Sequence, residues 1–254
     1  MNQYYQDGYQ ASQNEKQQPL VMKKGGAGKD YTVDMVFCID ATGSMEEFGK
    51  GQKKIINMVK ENALSFYSDL MSKMEAKKKR ISQLRVRVVA FRDYLADGEE
   101  AMLVTDFFYL PTQAKEFESC INSITAMGGG DIPEDGLEAL AYAIKSNWTT
   151  GGVGQRRVIV VWTDAPTHPL HFGERSPNYP KGMPANLSEL GEWWDEMPTR
   201  SKRLVLYAPK DPKGWSYIFD NWDNVIHYES KAGNGLADYD YSDILDVLAQ
   251  SIAK

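Results

Sequence analysis

Two apolar segments, each ending in an aspartate, constrain the fold of this 254-residue chain more than any other feature. The first spans residues 33–39, with Asp34 as its one charged member, and ends at Asp40; the second spans residues 158–163 (VIVVWT) and ends at Asp164. A strand with one face in water alternates apolar and polar residues, whereas a nearly continuous apolar run is typical of a strand buried on both faces. Both segments therefore predict central strands of a parallel sheet.

Helical patterns alternate with the predicted strands. Between Ile55 and Met74 apolar residues recur at three- and four-residue intervals, the period of a helix with one buried face. Further strands are predicted at 84–91, 101–108, 203–207 and 225–228, and further helices around 117–124, 133–148, 185–197 and 243–252. This alternation predicts an α/β three-layer sandwich, a mostly parallel sheet with helices on both faces. The short connection 92–100 suits a hairpin, so one edge strand is expected to be antiparallel.

Composition narrows the classes of function. The chain has 35 acidic and 29 basic residues, a net charge of −6, so it lacks the excess of cations that binds nucleic acid or an anionic membrane. Two cysteines do not make a disulfide framework, and neither a secretory signal nor an apolar run long enough for a bilayer is visible, so we expect a cytoplasmic location. Residues 1–30, rich in glutamine, are predicted to be a disordered tail before one domain at 31–254.

Polar oxygen-bearing residues follow three of the predicted elements. Asp40, Thr42 and Ser44 come after the first apolar run, Asp131 follows a run of three glycines, and Asp164 follows the other apolar run. Ligands bind outside the carboxyl ends of parallel strands, so we expect these five side chains to converge there. Converging carboxylates repel one another without a cation, and oxygen-only donors suit Mg²⁺ or Mn²⁺. The sequence therefore predicts one divalent ion at this edge, with the Asp40 carboxylate facing solvent.

Each of these segments also has a simpler interpretation. Ser44 with Glu47 forms an S-x-x-E capping box, which can merely start a helix. Asp131 two residues before Pro133 is a good helix N-cap, and Asp164 can be an ordinary turn residue. Both interpretations of each segment stay open at this point.

The spacing Asp40-x-Thr42-x-Ser44 resembles the D-x-[ST]-x-S signature of von Willebrand factor A-type domains, which belongs to their metal-ion-dependent adhesion site. In that family a threonine or aspartate from the loop before the next large helix joins the site, and Asp131 in GGGDIPED stands in that place. A further family aspartate matches Asp164 in VIVVWTDAP. The segments FRDY and GGGDIPEDGLEAL are similar to the bacterial and intracellular branch. The resemblance covers residues 31–254.

The resemblance implies a Rossmann-like sheet of six strands in the order 3-2-1-4-5-6. It also implies a protein-binding function, in which an Asp or Glu side chain of a partner completes the coordination of the metal. A cytoplasmic scaffold in a bacterial signalling or stress-response system is consistent with it. An aspartate at position 131 in place of threonine adds negative charge, which is expected to weaken binding of an anionic partner.

Three enzymatic alternatives are weaker. A metal-dependent phosphoryl-transfer hydrolase using Asp40 needs a second acid two residues later, where Thr42 stands. A nucleotide-binding Rossmann enzyme needs a glycine-rich motif after the first strand, and none follows it. His168 and His171 lie in a connection with five prolines, are expected on the surface, and as zinc ligands lack an obvious third partner. Asp93 is either an outer partner of the metal or a turn residue at a strand end.

Overall fold

The structure, a computed structural model, describes residues 30–47, 53–151, 154–229, 245–246 and 249–250. The predicted tail at 1–30 therefore lies outside the described residues, except for Asp30, which belongs to the first strand. The last predicted helix, 243–252, is described only at four positions, all of them helical.

Strands and helices alternate along the described part of the chain. The strands are β1 (Asp30–Asp40), β2 (Arg80–Phe91), β3 (Met102–Val104), β4 (Phe108–Leu110), β5 (Gln155–Trp162), β6 (Lys202–Ala208) and β7 (Val225–Glu229). The helices are α1 (Ile55–Ala76), α2 (Tyr94–Asp97), α3 (Ala114–Ser123), α4 (Gly136–Ile144), α5 (Leu187–Glu196) and α6 (Trp215–Asn221), with short 3-10 turns at Gly43–Glu46 and Gly98–Glu100. A membrane-crossing helix, long and apolar enough for a bilayer, is not found among the described residues.

All the strands belong to one sheet in the order β3-β2-β1-β5-β6-β7, with β4 also paired to β2. β3 and β4 run antiparallel to β2, and every other pairing is parallel. This confirms the predicted α/β sandwich and its antiparallel edge. The predicted third strand is divided into β3 and β4, so the sheet formed by the described residues has seven strands and not six. At the break the hydroxyl of Thr105, in place of a backbone carbonyl, accepts a hydrogen bond from Val88 N at 3.0 Å.

The two faces of β1 enter two separate hydrophobic cores, as its apolar run predicts. Val33, Met35, Phe37 and Ile39 face the core shared with α1 and α3. Val36 and Cys38 face the core formed with α4, α5 and α6. All of these side chains are fully buried, so β1 is the central strand on which the helical layers pack.

Asp34 places a charge inside this buried strand. Its two carboxylate oxygens accept hydrogen bonds from Arg85 Nε at 2.8 Å and Arg85 Nη2 at 2.7 Å, across the β1–β2 pairing. A buried charge is tolerated when it is paired and hydrogen-bonded in this way.

The helix predicted at 133–148 begins only at Gly136. The backbone before it bonds to neighbouring loops: Glu134 N donates to Pro166 O at 3.0 Å, and Asp135 N donates to Arg92 O at 3.1 Å. Residues 131–135 therefore form a loop that lies across the carboxyl ends of the strands. Helix α6 is an element that the sequence pattern did not predict.

Candidate metal centre

The carboxyl ends of the neighbouring strands β1 and β5 bring four predicted ligands together. Asp40 Oδ1 accepts hydrogen bonds from Thr42 N at 2.9 Å and from Thr42 Oγ1 at 2.6 Å. Thr42 Oγ1 lies 3.2 Å from Ser44 Oγ, which donates to Asp164 Oδ1 at 2.8 Å. The contacts form an unbroken series of side-chain oxygens from one strand end to the next.

The backbone after β1 turns so that these oxygens point the same way. Residues Gly43–Glu46 form a 3-10 turn, and Thr42 at its N-cap position makes no side-chain capping bond. The Ser44 hydroxyl bonds to Asp164, so the capping-box interpretation of Ser44 is wrong. Gly43 N donates to Gly128 O at 3.1 Å, which holds the glycine-rich loop against the turn.

The Asp40 carboxylate is fully buried, not at the solvent edge as the sequence predicted. The reason is that Thr163 covers its other side: Thr163 Oγ1 donates to Asp40 Oδ2 at 2.6 Å. Burial, together with the nearby charge of Asp164, raises the pKa of Asp40 to about 6. Two buried carboxylates this close cost free energy unless a proton or a cation lies between them.

Asp131 belongs to a different group of side chains. Its Oδ1 lies 3.0 Å from His168 Nε2, which is also 3.6 Å from Asp93 Oδ2. One ligand atom of each of the three residues lies within 4.8 Å of the others. The structure thus brings together four of the five predicted ligands. It places Asp131 beside Asp93, which the sequence offered only as an outer partner of the metal, and beside His168, which was expected on the surface. The N-cap interpretation of Asp131 is also wrong, because Asp135 precedes α4.

His168 is buried, so its expected surface position is wrong. Its ring stacks on Phe172 with 3.7 Å between ring centroids, and its backbone N–H donates to Glu134 O at 2.9 Å. His171 is the partly exposed histidine of the pair. Asp93 does serve as a turn residue, since its Oδ1 accepts from Leu95 N at 2.6 Å and caps α2.

Glu134 is a buried acid that the sequence analysis missed. A Cβ atom built on Gly129 would lie 2.8 Å from Glu134 Oε1 and 3.3 Å from Thr42 Cβ, so Glu134 lies close to the first group. Burial and the charges of Asp40 and Asp93 raise the pKa of Glu134 to about 10. Its Oε2 has no hydrogen-bond partner among the described residues. The available clue was the clustering of three acids in GGGDIPED.

Further acids are buried at this edge of the sheet. Asp135 Oδ2 accepts from Tyr94 N at 2.7 Å, and burial beside Glu138 raises the pKa of Asp135 to about 7. The buried acids here are Asp40, Asp93, Glu134, Asp135, Glu138 and Asp164. The nearby guanidinium of Arg92 donates to the backbone carbonyls of Ala41, Glu100 and Thr125. Such a concentration of carboxylates favours the binding of cations.

Sequence comparison finds one relative of partial length, and no family model matches the chain. The α-protein kinase vwkA of Dictyostelium discoideum is 28% identical over 155 residues, which cover 61% of this chain and 22% of the kinase. The chain therefore spans about a fifth of the length of that curated relative.

Structural comparison agrees with the α/β sandwich. The pilus adhesin SpaC of Lactobacillus rhamnosus GG overlays with a TM-score of 0.54 at 14% identity, covering 88% of this chain and 31% of the adhesin. The PilB minor pilin of Streptococcus sanguinis overlays with a TM-score of 0.55 at 12% identity, covering 90% of this chain and 64% of the pilin. A von Willebrand factor type A structure from Catenulispora acidiphila gives 0.49 at 14% identity, covering 89% and 42%. At such identities the likeness to the first two establishes the fold alone.

Proposed function

We propose that this domain is a metal-dependent protein-binding module in which Asp40, Thr42, Ser44 and Asp164 hold one divalent cation. The unbroken contacts from Asp40 to Asp164 support this proposal, because every side-chain atom in the series is an oxygen. Such donors, with few carboxylates and room for water, suit Mg²⁺ or Mn²⁺. We leave Asp131 out of this shell because its carboxylate lies beside His168.

The surroundings of the site support a protein partner. Ile132 is 71% exposed and Met127 is 48% exposed, and both belong to the loop that packs on the turn after Asp40. Leu95 and Phe172, which follow Asp93 and His168 in sequence, are also exposed. A protein partner that supplies an Asp or Glu to the ion would cover these apolar side chains at the same time.

The residue two positions after Asp40 argues against phosphoryl transfer. That chemistry needs a second acid there, whereas Thr42 stands in its place and its hydroxyl donates a hydrogen bond to Asp40 Oδ1. We therefore expect the purified protein with Mg²⁺ to hydrolyse neither phosphomonoesters nor nucleotides, as measured by phosphate release. Turnover that is lost in Asp40→Asn would support the hydrolase instead.

Titration calorimetry with Mg²⁺ and Mn²⁺ tests the metal site directly. We expect Ser44→Ala and Asp164→Asn to weaken binding of both ions. Ser68→Ala is the matched control, because the Ser68 hydroxyl is exposed on α1 and bonds only to the carbonyl of Ser65 in the described structure. Absence of Mg²⁺ and Mn²⁺ binding at millimolar concentration in the wild type would exclude the proposal. Capture of a partner in Mg²⁺ but not in chelator, and its loss in Asp164→Asn, is the corresponding binding test.

The resemblance noted above supports a cytoplasmic scaffold in a bacterial signalling or stress-response system as the setting of this interaction. Fractionation of the native cell with an antibody to the protein tests the location, and a membrane or secreted fraction would contradict it.

A further inference from the structure

We propose that Asp93, Asp131 and His168 form a second metal site, separate from the first, which binds a divalent transition-metal ion such as Zn²⁺ in preference to Mg²⁺. The site goes beyond the proposed function, because it shares no ligand with the group formed by Asp40 and Asp164.

The spacing of the donor atoms fits a common ion. Metal–ligand bonds of about 2.1 Å place adjacent ligand atoms about 3.0–3.4 Å apart. Asp131 Oδ1 is 3.0 Å from His168 Nε2, and Asp93 Oδ2 is 3.6 Å from the same nitrogen. All three ligand atoms lie within 4.8 Å of one another, and side-chain shifts would bring them into one coordination shell.

The buried ring nitrogen is an independent observation that points to a ligand. The His168 side chain is only 4% exposed, and its Nε2 makes no hydrogen bond of acceptable geometry within the described structure, despite the two carboxylates beside it. A buried polar atom without a partner costs free energy. A cation placed between the imidazole nitrogen and the carboxylate oxygens would bind both kinds of atom, so the nitrogen would no longer lack a partner.

Asp93 and His168 are held in place by other contacts. Asp93 uses Oδ1 to cap α2, which leaves Oδ2 on the side of His168. His168 is held by the stack on Phe172 and by its backbone bond to Glu134. Asp131 is half-exposed, so it provides access from solvent.

The nitrogen donor determines which ion is preferred. Mg²⁺ favours oxygen ligands and retains its water, whereas an imidazole with two carboxylates suits Zn²⁺, Fe²⁺ or Co²⁺. Each group at this edge is therefore expected to select a different class of ion.

The test is a Zn²⁺ titration of the untagged chain in the presence of excess Mg²⁺. We expect one Zn²⁺ per chain, and we expect Asp131→Asn and His168→Gln each to weaken its binding by at least about 100-fold, since even outer partners of a metal ligand contribute about 10–100-fold. His171→Gln is the matched control, a histidine three residues away whose Nε2 lies against Pro184 O. The visible absorption of bound Co²⁺ should disappear in His168→Gln and persist in His171→Gln.

The two metal proposals fail in different ways. Asp164→Asn should lose Mg²⁺ and keep Zn²⁺, and Asp131→Asn should do the reverse. The second site is excluded if wild-type chain binds no Zn²⁺, if excess Mg²⁺ displaces it, or if Asp131→Asn binds Zn²⁺ as the wild type does. Loss of both ions in Asp131→Asn would indicate one shared site and would overturn the proposal too. Since Asp131 is half-exposed, its variant is expected to fold, and melting in chelator checks this.

Discussion

At the scale of single residues, the bonding of Asp40 decides what its substitution does. In Asp40→Asn the amide keeps one acceptor for Thr42, and the Thr163 hydroxyl can donate to Ala165 O, 3.3 Å away, while it accepts from the amide. The charge that faces Asp164 is removed, and like charges close together cost free energy. In chelator we therefore expect Asp40→Asn to melt at or above the wild-type temperature, while Mg²⁺ no longer raises its melting temperature.

Two comparisons make this prediction specific. Asp40→Ala leaves the Thr42 and Thr163 donors without the carboxylate and should lower the free energy of unfolding by about 1–3 kcal/mol. Ile39→Ala, one residue earlier in the core, should lower it by about 2–5 kcal/mol and keep the response to Mg²⁺. If Asp40→Asn in chelator is as unstable as Ile39→Ala, the Asp40 carboxylate is a structural group and not a metal ligand.

Residues close together in sequence were the easiest to predict. Asp40, Thr42 and Ser44 lie at alternate positions after a strand end, and the structure brings them into contact as their spacing suggested. Glu134 and His168 come together only because their loops exchange backbone hydrogen bonds. Such a pairing depends on the path of two irregular segments, which periodicity does not encode.

At the scale of elements, the loop at 127–135 positions the acids, and Gly129 tests how closely it packs. Gly129 has φ +80°, and an added Cβ would meet Glu134 Oε1 at 2.8 Å and Thr42 Cβ at 3.3 Å. We expect Gly129→Ala to weaken Mg²⁺ binding, measured by calorimetry, because Thr42 must move. It should also destabilise the protein by more than the roughly 1 kcal/mol that a left-handed backbone alone costs.

Gly151→Ala is the control for backbone strain. Gly151 has φ +78°, and an added Cβ has nothing within 4 Å in the described structure. This variant should lose only the stability that backbone strain costs, and it should bind Mg²⁺ as the wild type does. Equal stability and equal Mg²⁺ affinity of the two variants would mean that the loop does not press on Thr42.

The elements themselves were predicted where their burial is one-sided or complete. The continuous apolar run of β1 reflects burial on both faces, and the helical period of α1 reflects burial on one face. Both elements form in the structure. The break between β3 and β4 depends on the Thr105 side chain, and the late start of α4 depends on bonds of residues 134–135 to other loops. Those are tertiary effects that override local pattern.

At the scale of the whole molecule, the buried acids predict how stability varies with pH. Burial raises the pKa of Asp40 to about 6 and of Asp135 to about 7, from 3.8 in the unfolded chain. At pH values between the unfolded and the folded pKa, the folded protein holds protons that the unfolded chain has released. The contribution of these protons to the free energy of unfolding is therefore complete below about pH 4, and it is lost as the pH rises through 6–7. In chelator we expect these groups to lower the free energy of unfolding from pH 5 to pH 8.

Mg²⁺ should oppose that loss, because the cation replaces the protons. Urea unfolding at pH 5 and pH 8, with Mg²⁺ and with chelator, measures both effects. The stabilisation by Mg²⁺ is expected to be larger at pH 8. Stabilisation of equal size at both pH values would show that Mg²⁺ does not compete with these protons.

Strand β1 also determines which end of the domain is suitable for attaching a label or an immobilising surface. It runs from Asp30 to Asp40, and at about 3.3 Å per residue it separates its two ends by about 33 Å. The covalent link to residues 1–29 therefore leaves the sheet at the end opposite to both proposed ion sites. A dye, an affinity handle or a sensor surface joined at the start of β1 therefore lies at the end of the sheet opposite to the proposed ion sites. Immobilisation through that end orients the acidic edge outward, whereas random coupling through lysines does not.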